Sequence, residues 1–174
     1  LLASALAYAA VKGDDRMASA SFLTAQVDFS AAGDLLVFID DTQLKSLEEM
    51  MAEQGYLDGS RMAAVFNMLR PRDLIWPYVV NNYMRGKDPL PFDLLYWNAD
   101  STRLPARMLS FYLRKMYLEN KLCVPGGINL DSVDIDVSKI DVPSYFISAR
   151  EDHIAPWKST YAGARLFAGE VRYV

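Results

Sequence analysis

The sequence predicts an α/β fold, a parallel sheet interrupted by a mostly helical insertion. Three observations carry this expectation. Ala18 to Phe29 is rich in Phe, Leu and Val, as a strand buried on both faces would be. The run from Val142 to Ser148, the helical stretch from about Trp157 to Phe167 and the closing residues 170–174 read as strand, helix, strand. That order is the βαβ unit from which parallel sheets are built. Between these two zones the pattern changes to helical spacing.

The elements follow in order. An Ala/Leu-rich helix opens the chain and breaks at Gly13-Asp14-Asp15, ahead of the first strand. Thr42 is expected to cap a helix carrying Leu44, Leu47, Met50 and Met51, stopped by Gly55. Asp58 or Ser60 caps a second with Met62, Phe66 and Leu69 on one face, and Asp73 a third with Leu74, Ile75, Tyr78 and Val79. A fourth starts at Ser101 or Thr102 with Pro105 in its first turn, and carries Met108, Phe111, Tyr112 and Tyr117. Seven of the 8 Met fall in this middle zone. The organisation predicted is residues 1–30 as sheet core, 31–137 as a helical cap, and 138–174 as sheet core again.

Bulk properties exclude several function classes. With 52% apolar and 23% charged residues, the chain is globular rather than disordered. A net charge of −4 without a basic tract argues against nucleic-acid binding. No segment approaches the roughly 18 apolar residues of a membrane span. The apolar opening lacks the basic lead-in of a signal peptide, and a single cysteine fits a reducing cytoplasm. Residue 1 is not Met and the last strand has nothing after it, so both ends are expected to continue into a longer polypeptide.

Few residues suit acid–base or nucleophilic chemistry. Asp152 follows the carboxyl end of a predicted parallel strand, the edge where ligands and catalytic groups collect in open α/β sheets. A carboxylate there can orient a histidine in a nucleophile–base–acid triad; alternatively, it caps the following helix. His153 is the only histidine. Adjacent side chains on an extended turn point apart, so it is not expected to be the base that Asp152 orients. Asp28 is the rival acid, one strand earlier, or a turn-former ahead of Ser30. Cys123 lies in a loop, without the strand-to-helix turn and nearby base that a nucleophilic thiol needs, and is expected to be incidental. Gly126-Gly127 is too short to cradle phosphate, and one His with one Cys makes no zinc site. The dense segment holding Phe92, Tyr96 and Trp97 reads as cap packing, with a channel lining or subunit contact as the second possibility.

Several long motifs resemble one family. They are Asp73-Leu74-Ile75-Trp76 with Tyr78-Val79-Val80-Asn81-Asn82-Tyr83, and Pro91-Phe92-Asp93-Leu94-Leu95-Tyr96-Trp97-Asn98 with Asp100-Ser101-Thr102. Further along come Phe111-Tyr112-Leu113-Arg114, Tyr117-Leu118-Glu119-Asn120 and Arg150-Glu151-Asp152-His153-Ile154-Ala155-Pro156-Trp157. Together they resemble class I polyhydroxyalkanoate synthases, thiol-dependent relatives of the α/β-hydrolases, along essentially the whole chain.

The resemblance implies an α/β-hydrolase-like sheet, incomplete within these residues, under a helical cap. It implies an acyltransferase that polymerises 3-hydroxyacyl-CoA, with 3-hydroxybutyryl-CoA the expected substrate, into polyester with release of CoA and no cofactor. Of the family's Cys-His-Asp triad, Asp152 matches the acid and His153 the neighbouring histidine that is not the base. The cysteine elbow and the base histidine would lie outside this sequence, so the chain alone is expected to be inactive and to fold poorly. The resemblance further implies a cytoplasmic homodimer at polyester granules, with the cap covering the site. Two alternatives stay open: a capped esterase or lipase, and a catalytically silent partner-binding chain.

Overall fold

A computed structural model describes residues 2–89 and 100–174. In chain order these form α1 (Leu2–Lys12), β1 (Ala20–Leu23), a 3-10 turn (Gly33–Phe38), α2 (Asp41–Gln54), β2 (Tyr56–Leu57) and α3 (Gly59–Leu69). A broken helical run follows through Pro71–Leu74, Trp76–Tyr78 and Val79–Met84. Then come β3 (Leu104–Pro105) and α4 (Ala106–Tyr112), which continues as a π turn over Leu113–Leu118. The chain ends through β4 (Ile128–Leu130), β5 (Val133–Ile135), β6 (Ser144–Ile147), α5 (Trp157–Ala164) and β7 (Val171–Tyr173).

The residues cluster into two compact units: 1–44 with 111–174, and 45–110. The first holds a three-stranded sheet in the order β1-β6-β7, parallel throughout. The βαβ unit expected near the end of the chain is thus β6-α5-β7. Ala20 pairs with Ser144 and Leu23 with Ile147, so β1 and β6 end level. Their loops therefore leave from the same edge.

One face of this sheet is aromatic. Phe22 and Phe146, neighbours in register, stack at 4.3 Å and 10° between ring planes. Phe167 meets both edge-on at 5.4 and 5.3 Å. Leu6 and Ala7 of α1, Ile128, Ile135 and Ile140 complete the same core. Burying each large side chain contributes about 1.5–3 kcal/mol, which outweighs the modest β propensity of strands this short.

The first strand is shorter than its apolar run. Thr24 has φ 45, a left-handed conformation that ends the ladder. Beyond it Val27 and Phe29 are buried as parts of a loop, not as strand residues. The β4–β5 hairpin, which helical spacing does not foreshadow, turns at Asp131 and Ser132, both with positive φ. Such a two-residue turn matches the right-handed strand twist.

In the second unit β2 pairs with β3 and Met51, Leu57 and Leu109 are buried. Helix starts differ from the expected caps. Asp40, not Thr42, caps α2, its Oδ1 accepting the Thr42 and Gln43 amides at 2.8 and 2.9 Å. Asp58 caps α3 through the Ser60 amide, one of the two expected choices. Asp73 falls inside the first turn of a run that begins at Pro71, a residue suited to that position. Pro105 pairs with Tyr56 in β3, so α4 starts after it.

Candidate active site

Both loops that leave the carboxyl edge carry a carboxylate. Asp152 lies in the loop after β6, where its Oδ1 accepts the Ile154 and Ala155 amides at 2.8 and 2.9 Å. This is the side-chain-to-backbone turn that aspartate favours. It fixes the carboxyl plane, and among the described residues it leaves Oδ2 without a hydrogen bond. A free oxygen on an immobilised carboxylate is what a histidine-orienting acid requires.

His153 contributes its backbone to the same region. Its carbonyl accepts the Asp34 amide at 2.9 Å, joining the two edge loops. Its imidazole makes no hydrogen bond among the described residues.

Asp28 is also bonded through one oxygen, but one of its two donors is a side chain. Its Oδ1 accepts the Ser30 amide at 2.8 Å and the Asn120 side-chain amide at 2.9 Å. Burial pushes this carboxyl up, but the hydrogen bonds from Ser30 and Asn120 outweigh it and hold it below the usual carboxylate range. Asn120, in left-handed conformation with φ 49, also accepts the Phe29 amide at 2.8 Å. The Asp28 backbone carbonyl accepts the Ser159 hydroxyl from α5. Ser159 in turn accepts from Gln26 at 3.2 Å, and Gln26 from the Tyr117 hydroxyl at 3.3 Å. Gly163, one turn along α5, has no room for a side chain: a Cβ would stand 2.7 Å from that of Val27. Half-buried Asp28 is therefore fixed through its Oδ1 and its backbone carbonyl.

Tyr117 links this network electrostatically to the loop after β6. Burial, the adjacent Tyr112 and the charge of Asp152 raise its phenol well above the ordinary value. It stays protonated and serves as a donor. The setting of Cys123 likewise disfavours its ionised form. Burial and the negative charge of Asp28 raise its thiol, which donates to the Asn120 carbonyl at 3.1 Å. Phe92, Tyr96 and Trp97 lie outside the described residues.

Asn120, Ser159, Gln26 and Tyr117 were not anticipated in these roles. Each acts through a partner more than 90 positions away, for which spacing offers no signal. Among the described residues no cluster of His, Cys, Asp or Glu suits a metal ion, and no helix is long and apolar enough to cross a membrane.

The parallel sheet fits one class of fold, and the alpha/beta hydrolase fold model matches residues 3–174. The chain belongs to the alpha/beta hydrolase fold family. Within it, the whole chain is similar to poly(3-hydroxyalkanoate) polymerases. It is 59% identical over 174 residues to the poly(3-hydroxyalkanoate) polymerase of Methylorubrum extorquens, covering 29% of that relative. It is 54% identical over 174 residues to the poly(3-hydroxyalkanoate) polymerase subunit PhaC of Rhizobium meliloti (strain 1021), covering 28%. To PhaC of Cupriavidus necator it is 42% identical over 179 aligned residues, covering 30%. The chain thus spans less than a third of the length of the curated relatives it matches.

Proposed function

We propose that these residues are the acid loop and cap of a poly(3-hydroxyalkanoate) polymerase, an acyltransferase acting on 3-hydroxyacyl-CoA. The reading is carried by Asp152, pinned through Oδ1 by two backbone amides at the carboxyl edge of the sheet, with Oδ2 unbonded among the described residues. In this reading a cysteine thiolate outside these residues attacks the thioester carbonyl and CoA leaves. A histidine, also from outside, moves the proton, and Asp152 orients it and stabilises its cation. Cys123 and His153 take neither role. Thioester exchange suits a thiolate, because attack and departure are similarly easy.

Residues 31–137 act as the cap, with residues 45–110 as its compact body. A cap that excludes water protects the covalently held chain, since hydrolysis would end the polymer. Phe92, Tyr96 and Trp97, outside the described residues, are the candidates for lining a channel through the cap. Exposed apolar groups of the 45–110 unit, among them Trp76, Tyr83 and Met84, support contacts with a second copy and with a polyester granule in the cytoplasm.

The test is to replace the matched segment of the Methylorubrum extorquens polymerase with these 174 residues and supply 3-hydroxybutyryl-CoA. Release of CoA with accumulation of polyester is expected. Free 3-hydroxybutyrate in place of polymer would favour an esterase instead.

A further inference from the structure

The acid loop is held from outside by a residue that no catalytic pattern singles out. Gly33, in the loop after β1, has φ +75, in the left-handed region where side-chain-bearing residues are strained. An ideal Cβ there would overlap the His153 carbonyl oxygen. It would also lie 3.0 Å from the His153 carbonyl carbon and from Cγ of Pro156. The next residue uses that close approach, because the Asp34 amide donates to the same His153 oxygen at 2.9 Å. His153 directly follows Asp152 and precedes the two amides, Ile154 and Ala155, that pin its carboxylate. The groups that could give way to a Cβ are thus backbone atoms and a proline ring, which cannot swing aside as a long side chain does.

We propose that Gly33 is a positioning residue for Asp152: its missing side chain lets the loop after β1 hold the acid loop at the depth the triad requires. This rests on the reading of Asp152 as the triad acid. A Cβ at Gly33 pushes the 152–156 backbone outward and carries the carboxylate with it. Shifts of about 1 Å at a reacting constellation cost up to roughly a hundredfold in rate.

Gly13 provides an internal control. It has φ +71, and a Cβ there meets nothing within 4 Å. Gly13→Ala therefore carries the same backbone strain without touching the acid loop.

The experiment measures kcat and KM for CoA release from 3-hydroxybutyryl-CoA by the polymerase carrying these 174 residues. Gly33→Ala is expected to lower kcat about tenfold or more with KM little changed, whereas Gly13→Ala lowers the melting temperature comparably and keeps kcat. Gly33→Asn, which tolerates left-handed φ but adds a Cβ, should reproduce the loss of kcat. In an Asp152→Asn background Gly33→Ala should add little, because both act through one group. Normal kcat in both Gly33 variants, an equal loss in Gly13→Ala, or a full further loss in the Asp152→Asn background would overturn the inference. So would collapse of the fold in both Gly33 variants while Gly13→Ala folds, since the role would then be structural. Near-normal kcat in Asp152→Asn itself would instead overturn the reading on which the inference rests.

Discussion

Asn120 donates its side-chain amide to Asp28 at 2.9 Å while its carbonyl oxygen accepts the Phe29 amide at 2.8 Å. One residue thus ties the exit of the helical run to the loop after β1 through both ends of its side chain. The clamp engages Oδ1 of the rival carboxylate at the sheet edge. Asn120→Ala should lower the stability of the unit by about 1–3 kcal/mol, because a buried amide loses its partner. Chemical unfolding of the grafted polymerase checks this.

The same clamp predicts a pH effect. The Asp28 carboxyl is depressed in the folded state, so its contribution to stability is present above its unfolded pKa. It is lost as pH falls through the lower folded value. Melting temperatures taken downward through the carboxylate range should show this loss in the parent, and a smaller one in Asn120→Ala.

The stacked rings carry much of the core. Phe22→Ala or Phe146→Ala should each cost about 3–5 kcal/mol, and the pair should fall short of additivity because the rings are in contact. Gly163→Ala should also destabilise, since its Cβ would press on Val27 rather than fill space. Comparative melts of the two single variants, the double variant and Gly163→Ala measure all four.

Cys123 is expected to be slow towards alkylation below about pH 9, because its thiol is raised and hydrogen-bonded. Cys123→Ala in the grafted polymerase should leave CoA release near the parent's. A loss of orders of magnitude would make it the nucleophile.

The 174-residue chain on its own should release no CoA from 3-hydroxybutyryl-CoA and should melt without a sharp transition. Both edges of its three-stranded sheet, β1 and β7, are unpaired among the described residues. Release above a buffer blank, or a cooperative melt, would count against this.

The parallel sheet was legible because its signals are local: Val142 to Ser148 is apolar and compact, and one helix separates it from the next apolar run. Asp152 was legible because its position after β6 follows from that pattern. The extent of β1 was not, since the conformation of Thr24 depends on what the chain must reach beyond it. Nor was the cap of α2, because Asp40 and Thr42 are both good caps and only geometry decides between them. Helical spacing around Met108 and Tyr117 anticipated a helix, but not that Asn120 beyond it would reach Asp28. Long-range polar pairing leaves no periodic trace.

The central claim is that Asp152, and not Asp28, is the triad acid. The most direct test compares kcat for CoA release in Asp152→Asn and Asp28→Asn of the polymerase carrying this segment. A loss of about a thousandfold or more is expected for Asp152→Asn, as triad acids typically show, and a far smaller loss for Asp28→Asn. Near-parent turnover in Asp152→Asn with collapse in Asp28→Asn would contradict it.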